Sequence, residues 1–374
     1  MPTTTAPTGP TFIRSDYVVL GAGGLAVLLA GVTRFAGGGE VLPFLASAVA
    51  VTLLASLVGR CVEQLGDRFG PGATGVLQSA LGNLPELFIA LFALKAGLVG
   101  VVQAALIGSI LANLLLVLGL AFLVGGLRHG TQKLNSERAR SIIVLMVLSV
   151  AAMVVPSLAH YVHTPAAAHE KTLSLIVSVV LLVLFALTLP ASLRKGAGAS
   201  RQAGTGDSAG GGEGAGHSEA PRWPVWLAVG LLAVAAAAAA FVSDWFVVAL
   251  EPAMDALNIS DAFAGLVIVA IAGNAIENVV GVQLAARNQS EYAFSIVINS
   301  PIQIALVLAP LLVVLSAVFG FATLTLVFAP MLVVSVVIAV ILTAFITFDG
   351  ESTWIEGAAL IAVYALIATS FWWG

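Results

Sequence analysis

The sequence predicts an all-α membrane protein with 11 transmembrane helices: two inverted five-helix repeats plus an extra N-terminal helix. Three observations carry that prediction. The first is composition. The 374 residues are 60% hydrophobic and 9% charged, with a mean hydropathy of +1.07, whereas an ordinary soluble domain is about 25% charged. The second is a motif that returns at a constant offset. Gly82-Asn83-Leu84-Pro85-Glu86 recurs as Gly273-Asn274-Ala275-Ile276-Glu277, 191 residues on, and Ser109 recurs as Ser300 at the same 191. The third is the distribution of basic residues along the chain.

A helix needs about 20 apolar residues to cross a bilayer. By that length the spans are Tyr17–Thr33, Val41–Val62, Ala73–Leu94, Val99–Gly125, Ser141–Ala159, Leu173–Leu193, Trp223–Val242, Phe263–Ala285, Ala293–Phe319, Ala322–Phe348 and Trp354–Trp373. Residues 1–40 then hold a Pro/Thr-rich tail and the extra helix, and 41–194 hold the first repeat. Residues 195–222, rich in Gly, Ala and Ser, form a flexible linker, and 223–374 hold the second repeat. The tail has one basic residue, Arg14, and no small-residue cleavage site, so it does not read as a signal peptide.

Numbering the loops alternately puts 12 Lys and Arg residues on the side of the N-terminus and linker. Only Arg34, Lys95 and Lys171 fall on the other side. The positive-inside rule makes the first side cytoplasmic and puts the C-terminus outside. The two Gly-Asn-x-x-Glu motifs fall on the third and eighth spans, which run in opposite directions, so the repeats are inverted. Inverted repeats with broken helices and a midplane site are the pattern of secondary transporters. Glu86 lies about 14 residues, or roughly 20 Å, into its span.

An acid at that depth is costly and marks a functional position. Asn83 and Glu86 are spaced i,i+3, as are Asn274 and Glu277, and this spacing predicts a shared helix face. Ser109 and Asn113 are spaced i,i+4. Pro85 and Pro301 have no N–H and leave a backbone carbonyl unpaired. The resulting inventory is two carboxylates plus amide, hydroxyl and carbonyl oxygens. The five histidines lie in loops or the linker, and the one cysteine, Cys61, excludes an internal disulfide. An oxygen-only set suits a hard cation such as Ca2+. The expected cation ligands are Glu86, Glu277, Asn83, Asn274, Ser109, Asn113 and Ser300, with Glu86 and Glu277 also carrying protons. Gln303, Asn278, Pro85 and Pro301 are accessory. The three asparagines also suit hydrogen bonding between helices, and the serines suit close packing. Gln78, Gln103 and Gln283 read as helix-packing or mouth residues, and Asp244, Glu251, Asp255 and Asp261 as an outer loop. No basic patch with interleaved aromatics points to nucleic acid.

At these residues the chain resembles the proton-coupled branch of the calcium/cation antiporters, the CAX family. The likeness rests on Gly82-Asn83-Leu84-Pro85-Glu86-Leu87, on Gly108-Ser109-Ile110-Leu111-Ala112-Asn113 running through to Gly119, and on Val101-Val102-Gln103-Ala104. Gly130-Thr131-Gln132-Lys133-Leu134-Asn135, Gly273-Asn274-Ala275-Ile276-Glu277 and Gln303-Ile304-Ala305-Leu306 also fit. The resemblance implies an 11-span Ca2+/H+ antiporter, not an enzyme. It implies no cofactor, with Ca2+ as cargo, H+ as counter-substrate and the lipid bilayer as surroundings. Glu86 and Glu277 would be the alternating carriers. Three departures stand out. Asn278 replaces the His that usually follows the second Glu, Asn299-Ser300-Pro301 replaces Gly-Ser-Ser, and the linker has only Asp207, Glu213 and Glu219 as acids. A Na+- or K+-linked exchanger and a cation channel are the other transport classes that such a site allows. An intramembrane acid-pair enzyme is the non-transport class. Short loops point to a prokaryotic cell membrane.

Overall fold

The computed structural model describes residues 11–69, 81–134, 136–202 and 222–373. Its helices are α1 (Arg14–Phe35), α2 (Val41–Phe69), α3 (Leu84–Lys95), α4 (Val99–His129), α5 (Ser136–Tyr161), α6 (Glu170–Gln202), α7 (Val225–Leu257), α8 (Asp261–Gly273), α9 (Ala275–Ala286), α10 (Ser290–Phe319), α11 (Pro330–Ile346) and α12 (Trp354–Ser370). Among the described residues seven helices are long and apolar enough to cross a membrane. An eighth span is the broken pair α8 and α9, and α11 and α12 are shorter apolar helices. Leu25, Leu28 and Leu29 of α1 and Ile176, Val180 and Leu187 of α6 are exposed, as lipid-facing aliphatics are.

The chain forms two compact units, and each draws on both halves of the sequence. One comprises Met1–Phe88 and Ala186–Phe246, the other Ile89–Phe185 and Val247–Gly374. In the first unit Leu57, Val58, Cys61, Val62 and Leu65 of α2 pack on Trp223, Ala228 and Ala235. The extra helix is tied to this core by Asp16, which is buried. Its carboxylate accepts from Arg60 Nη1 at 2.8 Å and Arg222 Nη1 at 3.5 Å. Gln64 Oε1 accepts from the backbone N–H groups of Arg222 and Trp223 at 2.9 and 3.1 Å. The end of the linker is therefore held against α2 by polar bonds that the sequence reading did not foresee.

In the second unit α4 is the most enclosed long helix. Two glycine contacts let it approach its neighbours. A Cβ on Gly108 would lie 2.3 Å from the Leu266 carbonyl oxygen of α8, and a Cβ on Gly357 of α12 would lie 2.4 Å from Leu123 N of α4. A two-residue strand, β1 (Gln132–Lys133), pairs antiparallel with β2 (Glu351–Ser352). Leu134 N donates to Gly350 O at 2.7 Å and Ser290 Oγ to Lys133 O at 3.2 Å. These bonds join the loops that follow α4, precede α10 and precede α12.

Three expectations are corrected. The tenth span does not start at Ala322. Residues 321–329 are not helical, and α11 begins at Pro330. Pro330 suits a first helical position, while the N–H groups before it are taken by side chains rather than by a helix. The seventh span does not end at Val242, because α7 continues to Leu257. That extension puts Asp244, Glu251 and Asp255 on the helix rather than in a loop, and Asp261 in the first turn of α8. The third span is broken: Gly82 and Asn83 form a turn, and α3 starts at Leu84.

Candidate functional site: a buried amide and hydroxyl cluster

The break in the third span recurs in the eighth and changes how the motif reads. Asn274 has φ −92° and ψ 19° and forms the N-cap of α9. The segments Asp261–Gly273 and Asn278–Ala286 meet at 61°. Asn83 holds the matching place before α3. The asparagine stands at a break and the glutamate in the first turn of the helix that follows. That turn carries the helix's unpaired N–H groups and the positive end of its dipole, which suits an acid. Pro85 also lies in the first turn of α3, where a missing N–H costs nothing.

Four predicted residues meet inside the second unit. Asn113 Nδ2 donates to Asn274 Oδ1 at 2.8 Å, to Ser300 Oγ at 3.2 Å and to its own helix at Ser109 O, 2.9 Å. Asn274 Nδ2 donates to Ser109 Oγ at 2.8 Å and to Ala270 O at 2.9 Å. Ser300 Oγ donates to Asn274 Oδ1 at 3.2 Å. All four side chains are buried, and Asn113 is fully so. Asn113 Oδ1 is buried with no hydrogen-bond partner. A buried acceptor of this kind costs about 1–3 kcal/mol and calls for a donor or an ion.

The backbone around the cluster is widened. Ala112–Val117 and Ile304–Leu308 are π-helical turns inside α4 and α10, and Ala264–Val269 is a third inside α8. The first two stand almost at the repeat offset, since Val117 plus 191 is Leu308. π-Turns recur at functional sites because they re-aim side chains from a helix. Asn113 sits in the first of them. Pro301 lies inside α10 just ahead of the second, and half-buried Gln303 immediately precedes it.

The other predicted residues fall elsewhere. Asn83 and Glu86 belong to the first unit; Glu86 is buried and Asn83 half-buried. Glu277 occupies the first turn of α9, but its side chain lies outside the described residues, as does Gln78. Asn278 donates its backbone N–H to Asn274 O at 3.1 Å, and its Oδ1 is buried without a partner. Among the described residues no three His, Cys, Asp or Glu side chains come together as a metal site. What gathers instead is amide and hydroxyl oxygen, the ligand type of a hard cation. Sequence reasoning missed the role of Gln103, Ser157, Tyr161 and Ser174 in holding residues 321–328. The alternation of Leu324, Leu326 and Phe328 is a faint signal, in a run too short to separate from the start of an apolar span.

Seven long apolar helices among the described residues mark an integral membrane protein. The profile of the sodium/calcium exchanger protein family matches residues 40–193 and 227–373, and the chain belongs to that family. It is 34% identical over 339 residues to a Ca(2+)/H(+) antiporter of Aphanothece halophytica, spanning 89% of this chain and 90% of the relative. It is 35% identical over 324 residues to the Ca(2+)/H(+) antiporter ChaA of Bacillus subtilis, spanning 86% and 90%. The native structure of YfkE superposes with a TM-score of 0.78 at 31% identity, covering 95% of this chain and 99% of that one. The family expected from the motifs is thus the one found, and the chain is, as expected, a largely helical membrane protein.

Proposed function

We propose that this protein is a secondary active antiporter that exports Ca2+ from the cytoplasm in exchange for H+ by alternating access. Its place is a prokaryotic cell membrane, with the N-terminus cytoplasmic and the C-terminus outside, and its helices count as 11 spans in two inverted repeats. The observation that carries the reading is the convergence of Ser109, Asn113, Asn274 and Ser300, drawn from both copies of the motif, around a buried oxygen without a partner. Ca2+ takes six to eight oxygen ligands. In this scheme Glu86 and Glu277 supply the charge, and Asn83, Asn274, Ser109, Asn113 and Ser300 supply neutral oxygens. Gln303, Asn278, Pro85 and Pro301 support their backbone and surroundings.

Coupling follows from competition for the same carboxylate oxygens. Two deprotonated acids neutralise one divalent cation. Two protons neutralise the same acids and release the ion on the proton-rich side. Charged, empty acids are the costly form at membrane depth, and that cost opposes switching without cargo. The relatives named above are Ca2+/H+ antiporters, which supports this choice of ions.

The test is Ca2+ uptake into proteoliposomes under an imposed pH gradient. Wild type is expected to load, and Glu86→Gln and Glu277→Gln to fall to background. Full proton-driven uptake by either variant would sink the scheme. A second reading, Na+-coupled exchange, is motivated by the partnerless Asn278 oxygen beside Glu277. A parallel arm with a Na+ gradient decides between the two.

A further inference from the structure

Residues 321–329 link α10 to α11 as an extended segment, and side chains satisfy its backbone. On one edge Leu324 N, Leu326 N and Phe328 N donate to Ser316 Oγ, Ser174 Oγ and Ser157 Oγ at 3.2, 3.0 and 2.9 Å. On the same edge Ser157 Oγ donates to Leu326 O at 2.8 Å, and Tyr161 Oη to Phe328 O at 2.9 Å. The Ser157 hydroxyl thus does with one atom what a peptide group of a neighbouring strand would do. On the opposite edge, among the described residues, stands Gln103. Gln103 Nε2 donates to Thr325 O at 3.0 Å and to Val327 O at 2.9 Å. Alternate carbonyls of a strand point the same way, and a primary amide has the two hydrogens needed to take both without bringing a charge into the membrane.

The position of that amide matters. Gln103 lies on α4, six residues before Ser109 and ten before Asn113, about 9 and 15 Å along the helix. The segment it grips continues directly from α10, which carries Ser300. Gln103 is therefore a short tether between the two helices that bring Ser109, Asn113 and Ser300 together. Beside the bond from Asn113 to Ser300 in the cluster itself, it adds a second directional link between α4 and the chain of α10, where the surrounding apolar contacts are non-directional.

We propose that Gln103 is a positioning residue for the polar cluster: by clipping residues 325 and 327 it sets the register of α4 against α10. The transport arm of the test rests on the Ca2+/H+ reading. Gln103→Met keeps the length of the side chain and removes both donors. In full-length protein in proteoliposomes, backbone amides of Leu324, Leu326 and Phe328 should exchange with solvent about tenfold faster in this variant. Its KM for Ca2+ should rise about tenfold with the maximal rate within threefold, because ligand geometry is disturbed and carboxylate chemistry is not. General misfolding would lower the maximal rate and leave KM alone. Ser157→Ala loosens the segment from α5 but keeps the tether between α4 and α10. It should speed amide exchange and leave KM within about twofold. Unchanged amide exchange in Gln103→Met overturns the clip. An unchanged KM, or an equal KM shift in Ser157→Ala, overturns the positioning role. If the wild type carries no Ca2+, the exchange reading falls on its own, and amide exchange still decides the clip.

Discussion

The two halves of this chain place different residues at the same register of the repeat. Ser109 of the first half corresponds to Ser300 of the second, and both belong to the cluster. Four residues on, Asn113 corresponds to Ile304. One copy supplies a carboxamide there and the other a buried aliphatic side chain. The extended segments differ in the same way. Residues 132–133 find a backbone partner in β2, whereas their counterparts at 323–324 lie in a segment held by side chains. The offset of 191 is constant, while the residues at matching positions such as 113 and 304 differ in chemistry. An amide at 304 in addition to Asn113 would add buried polar atoms that need partners of their own.

The strongest test moves the carboxamide from one copy to the other. Asn113→Leu removes the donor that joins Asn274, Ser300 and the Ser109 carbonyl, and it strands buried acceptors at about 1–3 kcal/mol each. Proton-driven Ca2+ uptake should fall by about 100-fold or more. Ile304→Asn alone should also be harmful, because it buries an unpartnered amide. Combining the two returns one carboxamide to the centre from the opposite helix. Division of labour predicts that the double variant stays as inactive as Asn113→Leu. Recovery to within about tenfold of wild type would show that the halves remain interchangeable.

How much of this was legible in the sequence differs by feature. The cluster was legible because its members are fixed by local spacing and by one offset, and helix geometry translates spacing into position. The break at Asn83 and Asn274 was only half legible. Gly and Pro mark a break, but the i,i+3 spacing does not say at which residue the following helix starts. Residues 321–329 were not legible by hydropathy, since Phe321 to Phe328 reads as the start of an apolar span. Their alternation has period two rather than 3.6, but the run is short, and the hydroxyls that satisfy it come from residues up to 171 positions away. Side-chain partners at that sequence distance leave no local pattern to read.

The next effect concerns the contact that lets the halves meet. Gly108 lies against the Leu266 backbone, where a Cβ would approach the carbonyl oxygen to 2.3 Å, whereas Gly230 on α7 has nothing within 4 Å. Backbone cannot yield as a flexible side chain can. Gly108→Ala should therefore lower thermal stability by about 1–3 kcal/mol and reduce transport with it. Gly230→Ala should be neutral or stabilising by up to about 1 kcal/mol. Thermal unfolding of both variants in one detergent checks the pair, and equal midpoints would mean that α4 and α8 separate readily.

The smallest expected difference lies between the two serines that the repeat makes equivalent. Ser300 Oγ bridges both amides: it accepts from Asn113 Nδ2 and donates to Asn274 Oδ1, each at 3.2 Å. Ser109 contributes a hydroxyl to Asn274 Nδ2 and a backbone carbonyl to Asn113 Nδ2. A change to alanine erases everything Ser300 gives the cluster but leaves the Ser109 carbonyl in place. Ser300→Ala should thus raise the KM for Ca2+ by about tenfold and Ser109→Ala by about threefold, a gap of less than 1 kcal/mol. Parallel KM measurements decide it. The opposite order would mean that the hydroxyl of Ser109 carries more of the ion than its hydrogen bonds to Asn274 suggest, and that the two copies are less divided than Asn113 and Ile304 make them.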